Sequence, residues 1–177
     1  MNCKKITIIY CLFVLTAIHN FTGCFYSFTG ASVPSHLKTV AIPVFDDKSG
    51  YGDATLRESF TRKLTQKFID DNTLMVAPKA DADAILECTI VSVSPEVPQS
   101  VTSSENGTET VSVRRITVTV RAVFKDLVKK KTISEKRYSD YGDFDADTDV
   151  VIGRKQAVES AIDKISDDIL LGTVSNW

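Results

Sequence analysis

Two apolar stripes with helical spacing flank a run of strand-like segments, and this pattern limits the fold more than any other feature. The first stripe recurs every four residues and predicts a helix that ends at Asp71-Asn72; its members are Leu56, Phe60, Leu64 and Phe68. Thr55 and Glu58 have the spacing of a capping box at its start. The second stripe predicts a helix from about Arg154 to Leu171, with Gly172 as its stop; its members are Val158, Ala161, Ile162, Ile165 and Ile169.

The segments outside these helices have the alternation and composition of strands. They are Lys38 to Phe45, Leu74 to Val76, Ala84 to Val93, Thr110 to Phe124 and Thr132 to Tyr141. Pro43 donates no ladder hydrogen bond, so its strand is expected at a sheet edge, or its proline near the strand end. Asn106-Gly107 and Lys129 to Lys131 mark two hairpin turns. The apolar alternation slips by one residue at Arg114-Arg115, which predicts a β-bulge.

The order of these elements predicts the fold class. A strand and a helix are followed by several strands in hairpins, and a second helix closes the chain. Both apolar stripes are buried most economically if the two helices pack on one face of the same sheet. We therefore expect an α+β fold, a two-layer sandwich with a mixed, mostly antiparallel sheet of about four strands.

The N-terminus has the features of a bacterial lipoprotein signal. Lys4 and Lys5 precede an uncharged run, Ile6 to Ile18, that is too short to cross a membrane as a helix. The run leads to Phe21-Thr22-Gly23-Cys24, which resembles a lipobox and implies cleavage before Cys24 and lipidation of its thiol. Phe25 follows where an aspartate would retain the protein in the inner membrane, so the resemblance implies the outer membrane. Residues 1–23 are then a signal peptide and residues 24–37 a lipidated tether.

Composition limits the partners and the means of stabilisation. The chain has 21 Lys and Arg against 23 Asp and Glu, whereas a nucleic-acid-binding protein normally carries a basic excess. Cleavage before Cys24 removes only basic charge and leaves Cys88 without a disulfide partner in the chain. The exported domain must therefore depend on its hydrophobic core.

Candidate catalytic and metal-binding residues are few. His36 is the one histidine after the signal and is expected to be a surface or tether residue, so no Ser-His-Asp or Cys-His set can form. Cys88 lies on the inner face of its strand and is expected to be an inert core residue. The acidic run Asp143 to Asp149 fails as a calcium loop, because Thr148 and Arg154 occupy its diagnostic positions. We expect this run to be solvated and to interact favourably with the dipole of the last helix. We also expect the protein to have no enzymatic activity and to bind neither a metal nor a cofactor.

The basic residues are the strongest candidates for ligand contacts. Arg114, Arg115, Lys129, Lys130 and Lys131 lie on or near the strand that joins the two hairpins. Arginine and lysine pair with phosphate and carboxylate groups, so the five residues could form a site for an anionic ligand. Lysines at a sheet edge also prevent aggregation, and the sequence leaves both interpretations open.

From Cys24 onward the sequence is similar to the LptE family, the lipoprotein partner in lipopolysaccharide transport. The similar stretches, in chain order, are Cys24 to Ser32, Lys38 to Phe45, Asp71 to Leu74, Ala82 to Glu87, Ile116 to Val120, Tyr141 to Asp143 and the last helix up to Trp177. The resemblance implies a sandwich domain over residues 38–177 that plugs an LptD-like β-barrel of the outer membrane. It implies a lipid-anchored protein on the periplasmic face and no catalysis. The phosphates of lipopolysaccharide then become the candidate anions for the five basic residues, although the resemblance does not identify its ligand contacts residue by residue.

A second family from the same compartment offers an alternative. Val40 to Phe45 ahead of a helix also resembles the opening strand of TolB-like and LpoB-like periplasmic domains. These domains regulate or bridge envelope machinery and do not handle lipid. Co-purification would separate the two, since a β-barrel partner supports the first and a cell-wall synthase the second.

Overall fold

The computed structural model describes residues 33–94, 97–103 and 109–175; the side chains of residues 99–103 and 109–112 are not described. The predictions for the signal peptide, Cys24, the first part of the tether and Asn106-Gly107 lie outside the described residues. The helices are α1 (Leu56–Asp71) and α2 (Val150–Val174). The strands are β1 (Thr39–Ala41), β2 (Asp46–Asp47), β3 (Met75–Val76), β4 (Ala84–Val93), β5 (Val97–Ser103), β6 (Glu109–Asp126) and β7 (Lys131–Asp145).

All of these strands belong to one mixed sheet built around β6. β4 and then β5 pair antiparallel with one edge of β6, and β7 pairs antiparallel with its other edge. β1 and then β2 pair parallel with β4, and β3 lies parallel on the far side of β1. The predicted α+β sandwich is therefore confirmed. The described sheet has seven strand segments, whereas about four strands were expected.

A proline explains why two short strands, β1 and β2, replace the single strand predicted for Lys38 to Phe45. Pro43 lies between β1 and β2, where no sheet hydrogen bond is required of it. β1 is flanked by β3 and β4, so it is not an edge strand, and the alternative prediction of a proline near the strand end is confirmed. The N–H of Phe45, two residues after Pro43, donates to Oγ1 of Thr61 on α1 at 3.0 Å.

Both helices pack on the same face of the sheet and cover its core. α2 lies against β6 and β7, and α1 lies beside α2. Every predicted stripe residue of both helices is buried, and Phe60 stacks on Phe45 with ring centroids 5.1 Å apart. The facing strand residues are also buried; they are Leu86, Cys88, Ile90, Ile116, Val118, Val120, Ala122 and Phe124.

The helix ends differ in part from the sequence prediction. The capping box is wrong, because Thr55 has a helical backbone and its hydroxyl donates to Oδ1 of Asp53 at 2.7 Å. α2 begins earlier than expected, since Oδ1 of Asp149 accepts from the N–H groups of Val151 and Ile152 at 2.9 and 3.2 Å. This confirms the acidic run as favourable for the start of that helix.

Gly172 does not stop α2, which continues to Val174. A Cβ at Gly172 would lie 2.1 Å from the hydroxyl oxygen of Tyr138 on β7. Any other residue at this position would therefore require the Tyr138 side chain to shift.

The predicted bulge at Arg114-Arg115 is also wrong. β6 keeps an unbroken register through these residues with both β5 and β7. The shifts lie elsewhere, at Ile90/Ser92 on β4 and at Phe124/Lys125 of β6 where it pairs with β7. The change in apolar alternation marks a change of buried face, since Val113 and Ile116 lie on opposite sides of the sheet. β7 extends past Tyr141 to Asp145 because β6 continues to pair with it there.

Candidate functional site

The five basic residues do not form one site. Arg114 and Arg115 pair in register with Phe144 and Asp143, whereas Lys129 to Lys131 occupy and follow the β6–β7 turn. Asp126, the last residue of β6, lies eleven positions after Arg115, which corresponds to about 36 Å of strand. The structure thus divides the basic residues between two ends of the sheet.

We call these ends the tether end and the far end. The tether end comprises residues 36–39, Asp83 and the hairpin tip, which is residues 127–131. The far end comprises Arg115, residues 141–149, the loop of residues 48–55 and the first turns of both helices.

The hairpin tip is exposed and cationic. Lys129, Lys130 and Lys131 are all exposed, and Val128 before them is 59% exposed. Lys130 has a φ of +53°, a left-handed conformation that reverses the chain. Within the described part of the chain, the ammonium groups of Lys130 and Lys131 form no ion pair. The prediction of a hairpin turn at these lysines is confirmed.

Asp126 joins the hairpin tip to the tether. Its side chain is 1% exposed, its Oδ1 accepts the N–H of Lys129 at 2.7 Å, and its Oδ2 accepts Nε2–H of His36 at 2.8 Å. Burial acts to raise the pKa of Asp126, but the hydrogen bonds from Lys129 and His36 outweigh it and lower the pKa below its usual value. His36 therefore lies in the tether as predicted, but it is a partly buried anchor and not a solvated surface residue.

Asp83 makes a second connection at the tether end. Its Oδ2 accepts the N–H groups of Lys38 and Thr39 at 2.9 and 3.1 Å and the hydroxyl of Thr39 at 3.0 Å. Its backbone carbonyl accepts the N–H of Leu127 at 2.8 Å. The N–H of Lys38 is the main cause that lowers the pKa of Asp83, followed by the hydroxyl of Thr39. The exit of the tether, the start of β4 and the hairpin tip are thus one hydrogen-bonded unit.

At the far end, Arg115 already has a partner within the chain. Its Nε and Nη2 donate to Oδ1 and Oδ2 of Asp143, both at 2.7 Å, and its guanidinium lies 3.5 Å from the centre of the Tyr141 ring. The hydrogen bond from Arg115 lowers the pKa of Asp143. Nζ of Lys164 on α2 lies over the same ring and donates to the carbonyl of Tyr141 at 2.7 Å. Arg115 therefore links β6 to β7.

The far end also has an open cavity and exposed apolar side chains. A cavity of about 320 Å³ lies between the first turns of α1 and α2, with Tyr51 and Val158 among its lining residues. Val151 and Ile152 beside it are 76% and 56% exposed. The adjacent acidic run is exposed at Asp145, Asp147 and Asp149, and Arg154 and Lys155 line the cavity, so this end carries mixed charge whereas the hairpin tip is positive.

Neither a reactive cysteine nor a metal site is present in the described residues. Cys88 is 4% exposed and free, and burial raises the pKa of its thiol, which is the behaviour expected of a core residue. No three His, Cys, Asp or Glu side chains of the described chain lie close enough together to hold a metal ion. None of the described helices has the length and apolarity needed to cross a membrane.

Solved structures with the same fold come from bacteria. The hypothetical protein CT253 from Chlamydia trachomatis is 9% identical, with a TM-score of 0.51 over 79% of this chain and 99% of that chain. Protein XCC0632 from Xanthomonas campestris is 11% identical, with a TM-score of 0.50 over 78% of this chain and 86% of that chain. At such low identity these matches show the fold alone. No curated protein matches by sequence.

The family match is more informative. The model of the LptE family, described as lipopolysaccharide-assembly, matches residues 37–171. The match begins beside the His36 anchor and ends within α2, so it covers both helices and every strand of the described sheet. The chain therefore belongs to the LptE family of lipopolysaccharide-assembly proteins.

Proposed function

We propose that the protein is a non-catalytic lipoprotein of the outer membrane that assists an LptD-like β-barrel in carrying lipopolysaccharide to the outer leaflet. The family match across the whole sandwich carries this proposal. The lipobox-like Phe21 to Cys24 supports a lipid anchor on the periplasmic face. Cys88 and the apolar stripes of both helices are buried, so their role is to stabilise the core.

The outer face of the sheet supports a role as a plug within the barrel. This face points away from the helices and carries cross-strand polar pairs. The pairs are Lys125 with Glu87, Arg121 with Glu135, and Thr119 with Ser139. The lumen of a transmembrane barrel is polar, so a face of hydrated polar side chains and ion pairs suits it.

A second barrel contact is proposed at the β5–β6 hairpin. The Ser/Thr-rich segment from Pro98 to Thr110 forms its two arms, in which residues 97–103 pair with residues 109–115. Hydroxyl groups in this segment would bond a polar barrel wall. The turn itself, residues 104–108, lies outside the described residues.

The basic residues remain the proposed contacts for lipopolysaccharide, in two groups, of which the group at the hairpin tip can also meet the phosphates of phospholipids. Arg114 and Arg115 form the group at the far end, and Lys129 to Lys131 form the group at the hairpin tip. We expect Lys129→Glu, Lys130→Glu and Lys131→Glu together to weaken binding of purified lipopolysaccharide, and more strongly at low salt. Arg114→Glu tests the other group without breaking the Arg115–Asp143 pair. Unchanged binding in both variants would reject these residues and leave the barrel role open.

The function itself is tested by depletion and co-purification. Cells that lack the protein should retain lipopolysaccharide in the inner membrane or assemble the barrel incorrectly. The native lipidated protein should co-purify with a β-barrel. Normal transport together with co-purification of a cell-wall synthase would contradict the proposal and favour the TolB-like or LpoB-like role.

The anchor has a test of its own. Cys24→Ala should leave an uncleaved precursor, because the lipid is added to that thiol before cleavage. Mature-size protein in the outer membrane of this variant would show that the lipobox assignment is wrong. Cys88→Ala is the matched control, since Cys88 lies in the folded core and its loss should leave processing unchanged.

A further inference from the structure

The length of chain between the proposed anchor and the tether end limits how far apart the two can be. His36 follows Cys24 by twelve residues, and twelve residues span at most about 40 Å when fully extended. The carboxylate of Asp126 binds both His36 and the backbone N–H of Lys129. The hairpin tip is therefore fixed beside the point where the tether enters the domain, and an anchor on Cys24 keeps it near the membrane surface.

The composition of the hairpin tip suits such a surface. Three consecutive exposed lysines follow Val128, whose side chain is 59% exposed. Lysine side chains can lay their methylene stems along an apolar surface while the ammonium groups meet phosphates. Each lysine near an anionic membrane strengthens binding by roughly five-fold, and a basic cluster adds to the hold of a lipid anchor.

The difference in charge between the two ends favours one orientation of the domain on an anionic membrane. The hairpin tip carries three exposed lysines and no carboxylate, whereas the far end exposes both acidic and basic side chains. These are Asp145, Asp147, Asp149, Lys48, Arg154 and Lys155. An anionic surface attracts the hairpin tip more strongly than the mixed charges of the far end, so the domain has a preferred orientation on it. Asp83 and Asp126 hold the backbone around the hairpin tip, and little ordering is required for binding.

We propose that the hairpin tip, residues 127–131, binds the anionic phospholipid headgroups of the leaflet in which the protein is anchored. This second attachment rests on the proposed anchor at Cys24 and turns the far end, with its cavity and exposed Val151 and Ile152, away from that leaflet. Because the anchor raises the local concentration of headgroups at the tip, even weak phosphate contacts are sufficient to orient the domain.

The test uses the full lipidated protein in vesicles of phosphatidylcholine, with or without about one-third phosphatidylglycerol, an amount that gives the surface a negative potential. Mass spectrometry first confirms that the chain carries the lipid. Deuterium exchange of backbone amides in residues 127–133 is then compared with that in residues 146–152. We expect exchange at the tip to slow several-fold on the anionic vesicles and to recover in salt of about 1 M, where screening is nearly complete.

Two variants with the same change of charge make the test specific. Replacing Lys129, Lys130 and Lys131 by Gln should abolish the slowing, whereas replacing the exposed Lys48, Lys136 and Lys155 by Gln should preserve it. Thermal unfolding of both variants should match the parent, because all six side chains are exposed.

Two results would overturn the proposal. Exchange at the tip that is equal on neutral and anionic vesicles would show that the lysines do not meet the membrane. Slowing that occurs only when lipopolysaccharide is added would assign the tip to that lipid instead. The second result would support the proposed function, and the absence of the lipid in mass spectrometry would fault the anchor and not the tip, so the failures are distinguishable.

Discussion

The two ends of the sheet are held together by different physical means. At the tether end, the buried carboxylate of Asp126 and the carboxylate of Asp83 accept hydrogen bonds from chain segments far apart in sequence. At the far end, α2 packs so closely on β7 that a Cβ at Gly142 would lie 1.9 Å from the carbonyl oxygen of Ala157. Polar interactions there, such as Arg115 with Asp143, lie on the surface.

The difference is consistent with what each end must present. A hairpin of charged residues has few apolar side chains to bury, so its position depends on hydrogen bonds in which backbone donors meet a carboxylate. The far end is covered by a helix, and close contact of backbones is sufficient there. Since Cys88 is free, no disulfide involving it contributes to either end.

The largest effect is expected for Gly142→Ala at the far end. The new Cβ would overlap the carbonyl of Ala157, and a backbone atom cannot move aside as a side chain can. Overpacking of this kind costs about 3 kcal/mol of unfolding free energy. Urea unfolding measures the loss. Gly50→Ala is the control, because Gly50 has a φ of +70° but open space around it, and should cost only about 1 kcal/mol. An equal loss in both variants would contradict the close packing.

A smaller loss is expected for Asp126→Ala at the tether end. The N–H of Lys129 and the ring of His36 would lose their acceptor, which costs about 1–3 kcal/mol when a buried group is left unpaired. Asp126→Asn should retain part of the stability, because its side-chain oxygen can still accept from Lys129. Deuterium exchange should rise at residues 127–131 and not at residues 146–152. A uniform rise along the chain would show that Asp126 supports the whole domain and not this end.

Acid should loosen the tether end before the far end unfolds. The folded-state pKa values of Asp83 and Asp126 are lowered, so these carboxylates stabilise the fold above their unfolded pKa of about 4. This contribution is lost as the pH falls through the lowered values, because the unfolded chain then binds more protons. Exchange at residues 127–131, measured in steps from pH 5 downward, should rise before exchange in α2. Simultaneous loss of both would remove the distinction between the two ends.

The smallest effect is expected for Arg115→Ala. Its pair with Asp143 is at the surface, where solvent screening leaves an ion pair little influence on stability. The pKa of Asp143 should return toward its usual value, since the hydrogen bond from Arg115 is the main cause of its lowering. NMR titration of the Asp143 carboxyl carbon measures this shift, and thermal unfolding measures stability. A large drop in melting temperature would show that surface polar pairs also hold the far end.

Periodic and local features were predictable from the sequence. The stripes of α1 and α2, the extent of β4 and the lysine turn follow from residue spacing, because burial of one face imposes a period of 3.6 or 2 on the chain. Asp149 caps a helix within three residues of itself, so the acidic run was also interpretable. The resemblance to the LptE family rested on similar local stretches and is confirmed over residues 37–171.

Contacts between distant segments were decided by the tertiary structure alone. His36 and Asp126 are 90 residues apart, and nothing in the sequence around either marks the other as its partner. The basic residues are close in sequence but divided by the length of β6, because an extended strand adds about 3.3 Å per residue. Gly172 has the pattern of a helix stop, yet it lies inside α2 because Tyr138 packs against it. Spacing along the chain determines which face a residue occupies, whereas the pairing of strands and the packing of helices determine what it meets there.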